Sequence, residues 1–202
     1  MQRGRLIVFE GPDGCGKTTL SKALWEQLCQ QGERTVWSSF PGRDAGTLGH
    51  LVYQLHHESG QFGIQSLAPI GLQGMHIAAH LDAIFQRLLP LLDAGQSVVL
   101  DRYWWSTWAY GHADQVHASV LDGLIGAEKT AWVDHLPTCV FLVRRQQPIR
   151  EDYPEKWIAL NRAYEELAGK ERVHYPVVTV WNESDVPTAL ATITSQLATV
   201  SP

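Results

Sequence analysis

Residues 11–18 read Gly-Pro-Asp-Gly-Cys-Gly-Lys-Thr, the spacing G-x-x-x-x-G-K-[ST] of a phosphate-binding loop. The apolar run Arg5–Glu10 before them predicts a buried strand, and Thr19–Leu28 after them predicts a helix. Strand, loop and helix in that order are the context in which the motif holds phosphates. Gly11, Gly14 and Gly16 let backbone N–H groups turn inward around phosphate oxygens. The helix that opens near Lys17 aims its positive end at the same anion. Lys17 is expected to reach the outer phosphates of ATP, and the Thr18 hydroxyl to ligate Mg²⁺. Gly11, Asp13, Gly14, Cys15, Gly16, Lys17, Thr18 and Thr19 are therefore the candidate residues for the nucleotide. A carboxylate at Asp13 repels phosphate, so it makes sense only if it faces a neighbouring hydroxyl such as a sugar 3′-OH.

The chain has 202 residues, 45% of them hydrophobic, which suits one globular domain with a substantial core. A formal net charge of −5 does not favour a broad nucleic-acid-binding face. DNA stays open as a partner but is not favoured. The absence of a bilayer-length apolar run and of a signal-peptide pattern gives the expectation of a cytoplasmic protein with no membrane partner. Cys15, Cys29 and Cys139 form no Cys-x-x-Cys pair, so a zinc or redox motif is not expected. Cys15 reads better as a small filler of a tight loop than as a reactive thiol.

Short Val-rich runs at Leu6–Glu10, Thr35–Ser39, Ser97–Leu100, Cys139–Val143 and Val177–Val180 predict parallel strands covered on both faces. Helical patterns fall between them: Thr18–Gln31, Leu48–His57, roughly Ile70–Asp93, Val116–Glu128, Trp157–Ala168 and Pro187–Leu197. The expected fold is α/β: a three-layer arrangement with a five-stranded parallel sheet flanked by helices, in one domain over 1–202. A short lid is expected around 144–156. Ligands in such folds sit beyond the carboxyl ends of the strands. Four of those ends carry polar or glycine-rich residues: the phosphate loop, Phe40-Pro41-Gly42-Arg43, Asp101-Arg102-Tyr103 and Arg144-Arg145.

Asp101 is placed to hold Mg²⁺ opposite Thr18, directly or through water. It could equally cap the helix that follows. Arg102 and Arg43 are candidate phosphate clamps. Trp104, Trp105 and Trp108 surround this block. Core packing is the favoured reading for at least two of them; an apolar wall for an unusual base is the other.

The blocks Phe9-Glu10-Gly11-x-Asp13-Gly-x-Gly-Lys-Thr-Thr19, Phe40-Pro-x-Arg43, Asp101-Arg-Tyr-x-x-Ser106-x-x-Ala109-Tyr110 and Arg162-x-Tyr164-x-x-Leu-Ala168 resemble the thymidylate kinase family in order and interval. The resemblance covers roughly residues 5–170. It implies phosphoryl transfer from ATP·Mg²⁺ to a deoxynucleoside monophosphate, dTMP or a related or modified pyrimidine nucleotide, giving the diphosphate. It further implies that Asp13 meets the acceptor's 3′-OH and that Arg43 and Arg102 hold its phosphate. Tyr110 would lie against the deoxyribose, Phe40 would belong to the acceptor site, and the protein would be a homodimer. One subtype of the family carries an arginine in the phosphate loop. Gly14 and Cys15 stand there in this chain, so it looks like the subtype with catalytic arginines in a lid, here Arg144, Arg145 or Arg150. The family's base-reading arginine lies about twenty residues before the Asp-Arg-Tyr block. Leu81 stands at that count, and His80 or His76 is the candidate replacement. Two other functions use the same loop: a kinase acting on a hydroxyl of a nucleoside or modified base, free or in DNA, and an ATPase switch. The first needs a general base, for which Glu10, Asp13 or Asp101 could serve. The second has no use for Arg43 and Arg102.

Overall fold

A computed structural model describes residues 3–148 and 154–200. Thirteen elements, in chain order, are β1 (Leu6–Glu10), α1 (Lys17–Gln30), β2 (Thr35–Ser39), α2 (Leu48–Glu58), α3 (Pro69–Ala83), α4 (Leu89–Asp93), β3 (Ser97–Asp101), α5 (Trp104–Ala113), α6 (Ala118–Ala131), β4 (Cys139–Arg144), α7 (Pro154–Glu171), β5 (Val177–Trp181) and α8 (Val186–Val200). The strands form one parallel sheet in the order β2-β3-β1-β4-β5. This is the α/β fold expected from the alternation of apolar runs, and each of the five strands lies within a residue of its expected ends.

Strand residues alternate between two cores, as side chains on a pleated sheet must. Leu6, Val8, Val98 and Leu100 face α3, α5, α6 and α7, where Ile77, Trp105, Leu121 and Tyr164 are buried. Ile7, Phe9, Val99 and Phe141 face α1 and α8, against Leu20, Leu24, Ile193 and Leu197. β1 and β3 are buried along their whole length. This explains why their sequences are continuously apolar rather than alternating. No helix among the described residues is long and apolar enough to cross a membrane.

Two local features position the site. The single helix expected over 70–93 is interrupted by a π turn at Ile84–Leu88, where the Leu89 N–H bonds to the Ile84 carbonyl five residues back. Pro90 supplies the reason: it has no N–H to give, and its ring crowds the carbonyl four residues before it. The second feature is α5, an element the spacing of strands and helices does not single out. Trp104, Trp105 and Trp108 on it are all buried, so all three belong to the core.

Candidate active site

The phosphate loop is held open by its glycines. Gly11, Gly14 and Gly16 have φ of 140°, 80° and 95°, conformations in which a Cβ is strained. At Gly16 a Cβ would also lie 2.3 Å from Asn182 Nδ2. Asn182 follows β5 and donates from Nδ2 to the Cys15 carbonyl at 2.8 Å, which locks the loop to the sheet's far side. Lys17 is buried, donates to the Pro12 carbonyl at 2.9 Å and stands 3.8 Å from Asp13 Oδ1. Cys15 is fully buried, and burial pushes its thiol pKa up, so it fills the loop and is not a reactive group.

Opposite the loop, Arg102 extends from the end of β3 with φ 76°. This left-handed backbone is one that a long side chain adopts only when its surroundings enforce it. Its Nη2 pairs with Asp13 Oδ1, and its Nη1 donates to Ser106 Oγ at 3.1 Å. Tyr110 completes the group, donating from its hydroxyl to Asp13 Oδ2 at 2.6 Å while the Asp13 N–H donates back to it at 3.0 Å. Burial raises the Asp13 pKa, but the Arg102 and Lys17 charges outweigh it and hold the carboxyl well below the usual carboxylate range. Asp13 thus joins the loop's lysine to the arginine of the opposite wall.

The Thr18 hydroxyl donates to Asp101 Oδ2 at 2.5 Å. Asp101 Oδ1 is buried with no hydrogen-bond partner among the described residues. A buried carboxylate oxygen left unmatched beside a hydroxyl is a donor set that suits a hard, oxygen-loving cation such as Mg²⁺. Both residues expected for the metal therefore meet at one point.

Glu10, a candidate base for a hydroxyl acceptor, is instead the hub beneath the site. It is fully buried. Oε1 accepts from the Tyr103 N–H at 2.7 Å and the Ser106 N–H at 2.9 Å, and Oε2 accepts from Ser106 Oγ at 2.7 Å. α5 has no capping side chain of its own, so a carboxylate from β1 caps it from a distance. Ser106 Oγ also meets the Tyr164 hydroxyl at 3.0 Å. Burial pushes the Glu10 pKa up to about 7, against the opposing pull of the Ser106 hydroxyl, Arg102 and Lys17. The sequence signal for this role is position: Glu10 ends the central strand one residue before the loop.

The remaining expected residues fall into two groups. On the acceptor side, Arg43 is exposed and lies over the Tyr53 ring, 4.4 Å from its centroid. Phe40 is buried and stacks on His80 at 4.1 Å between centroids. His80 is itself buried, with Nδ1 2.9 Å from Glu128 Oε2. Leu81, which the residue count places in the base-reading position, packs against the core. A π turn takes up one residue more than an α turn, so a count back from Asp101 stops one position short of His80. On the lid side, Arg144 lies over the Trp181 ring at 4.9 Å, and its buried Nε has no partner among the described residues. It lines a cavity of about 450 Å³ with Arg162, Trp157 and Trp181. Arg145 lines the same cavity, but its Nη1 donates to the Asn182 carbonyl at 2.5 Å. Arg150 lies outside the described residues. Lys156, near the start of α7, sits 5.8 Å from the Tyr110 ring centroid, a cation near the acceptor group that sequence reading missed.

Comparison with known proteins agrees with this geometry. The thymidylate kinase family model matches residues 9–151. The thymidylate kinase of Chlorobium luteolum is 28% identical over 170 residues, covering 83% of this chain and 75% of that protein. That of Gluconobacter oxydans is 33% identical over 150 residues, covering 72% and 65%. The crystal structure of thymidylate kinase from Ehrlichia chaffeensis superposes with a TM-score of 0.78 at 22% identity, over 96% of this chain and 99% of that one, and so shares the fold. The matched span contains the loop, Arg43 and the Asp101–Tyr110 block, and on it the chain belongs to the thymidylate kinase family, a family of phosphotransferases.

Proposed function

We propose that this protein transfers the γ-phosphoryl group of ATP to the phosphate of a deoxynucleoside monophosphate, dTMP or a related pyrimidine nucleotide. One observation carries the reading. Asp13 stands between Lys17 of the donor loop, at 3.8 Å, and Arg102 and Tyr110 of the facing wall. This proximity supports a reading in which two phosphate-binding stations share one cleft.

An oxygen of the acceptor phosphate attacks the γ-phosphorus in line. The bond from that phosphorus to the β–γ bridging oxygen breaks, and its electron pair leaves with ADP. The attacking phosphate is already anionic near neutral pH, so no base is required. Lys17 and the inward N–H groups neutralise the donor phosphates, and Arg102 holds the acceptor phosphate. Thr18 and Asp101 would hold a Mg²⁺ ion, which would supply further neutralisation of the donor's charge. Of the two described lid arginines, Arg145 is held by the Asn182 carbonyl at 2.5 Å and Arg144 by Glu165 Oε1 at 3.5 Å, and the looser contact favours Arg144 for the transferring group. Asp13 and Tyr110 orient the sugar. A hydroxyl acceptor would need a proton acceptor. Of the carboxylates that could serve, Glu10 is fully buried and engaged by four donors, Asp13 is taken up by Arg102 and Tyr110, and Asp101 accepts from Thr18, which favours the phosphate acceptor.

Exposed apolar residues on and beside α2 and α3, Leu51, Phe62 and Phe85, support a homodimer through that face, which sedimentation tests. For the reaction, the protein is incubated with ATP, Mg²⁺ and a panel of deoxyribo- and ribonucleoside monophosphates, and product masses are read. A deoxypyrimidine diphosphate is the expected product. ADP release at the same rate without any acceptor would overturn the assignment.

A further inference from the structure

The acceptor side of the cleft carries a strip of polar groups that the phosphate chemistry leaves unused. Gln73, His76 and His80 follow one another at i, i+3 and i+7 on α3 and so share a face. Gln73 and His80 are buried. Gln73 packs close to Gly111, next to Tyr110. His56 reaches the strip from α2, with its Nδ1 3.3 Å from His76 Nε2. The approach of Gln73 to Gly111 places the strip beside Tyr110 and the Asp13 it bonds. Burial, His80 and His56 hold the His76 pKa down, to about 3; burial and His57 lower that of His56. Both rings are neutral at neutral pH.

Glu128 gives the strip its direction. It is fully buried on α6 and has one hydrogen-bond partner among the described residues, His80 Nδ1 at 2.9 Å. A buried carboxylate is costly to keep unless it has a task. Here it accepts the Nδ1 proton. In the neutral ring that bond fixes the tautomer and leaves a lone pair on Nε2. Phe40, stacked on the ring at 4.1 Å, stops it turning.

We propose that this strip is the specificity wall for the acceptor's base, that His80 Nε2 accepts a hydrogen bond from a ring N–H of that base, and that Glu128 is the positioning residue that makes Nε2 an acceptor. The inference rests on the reading of the cleft as a nucleoside monophosphate site. It assigns recognition of a donor edge to an imidazole, where a guanidinium would recognise a carbonyl edge.

Calorimetric binding of dTMP and of its N3-methyl derivative to the full chain tests it. The derivative keeps both carbonyls and loses the ring N–H. Wild-type protein is expected to bind it at least about tenfold more weakly than dTMP, and Glu128→Met, which removes the acceptor for Nδ1–H, to shrink that ratio to about twofold. Glu128→Met should retain wild-type affinity for ATP, which reports an intact fold. A purely structural Glu128 would weaken both acceptors alike and leave the ratio unchanged. Equal affinity of the two nucleotides for the wild type overturns the inference without reference to any variant, and leaves the monophosphate reading standing. Failure of both to bind while ATP binds removes that reading and the inference together.

Discussion

The two halves of the cleft are built from different materials. The donor half is made of main chain: three glycines with positive φ, a helix N-terminus and one lysine, all within residues 11–18. The acceptor half is made of side chains gathered from β1, α2, α3, α5 and α6. Backbone N–H groups are the same whatever the sequence, so a cradle built from them suits a ligand part that never varies, the phosphates. Side chains differ from chain to chain, so a wall built from them sets which molecule is accepted. On the proposed reading of the base wall, the contrast would let a chain keep a family's phosphate chemistry and still depart from it at the base.

Four measurements would break or sharpen this contrast. Lys17→Ala should lower kcat by at least about a hundredfold, as expected for a charge that acts on the transition state, with little change in Tm. An unaffected rate dissolves the donor half as described. Next in size is Glu10. Its folded pKa of about 7 lies above the ordinary 4.5, so its contribution to stability is complete below pH 4.5 and is lost as pH rises through 7. Denaturant unfolding should show wild type losing about 3 kcal/mol relative to Glu10→Gln across that window. A constant difference would mean the cap beneath α5 does not titrate. Asn182→Ala removes the bond to the Cys15 carbonyl and should cost about 1 kcal/mol. Because Asn182 braces only the loop, KM should rise for ATP and stay level for the acceptor; equal rises would show that the two halves are not separable. The smallest effect is expected from Tyr110→Phe, which deletes the hydroxyl bonded to Asp13. Acceptor KM should rise by a few fold, consistent with about 1 kcal/mol for one hydrogen bond, with ATP KM unmoved.

The same contrast governs what could be read from the sequence. The loop and the strands were legible because their causes are local. A buried parallel strand must be apolar at every position, and a phosphate cradle must place glycines at fixed intervals. Asp101 and Arg102 were legible because the polar residue after a strand marks the binding edge. That rule, carried to the fifth strand, also points to Asn182. His80 and Glu128 were not legible as a pair, since 48 residues separate them. Glu10 and Ser106 are 96 apart. No periodicity announces which buried carboxylate will meet which donor once helices have packed. The bounds of α5 escaped for a related reason: its cap is lent by another element, so its own start carries no capping signal. Arg144 and Arg145 show the same limit: both line one cavity, and only the folded chain shows that Asn182 engages one guanidinium and Glu165 the other.

The wide turn at Ile84–Leu88 has a consequence beyond helix geometry. Each residue of an α-helix advances about 100° around the axis. Deleting a single residue there, and so tightening the turn, would swing every side chain from Pro69 to Ala83 by that angle at one stroke. Leu81 and its companions would come round to the cleft, and the imidazoles would leave it. A lineage could thus exchange its whole repertoire of accepted nucleotides through one codon lost or gained, with no substitution in any residue that touches the ligand.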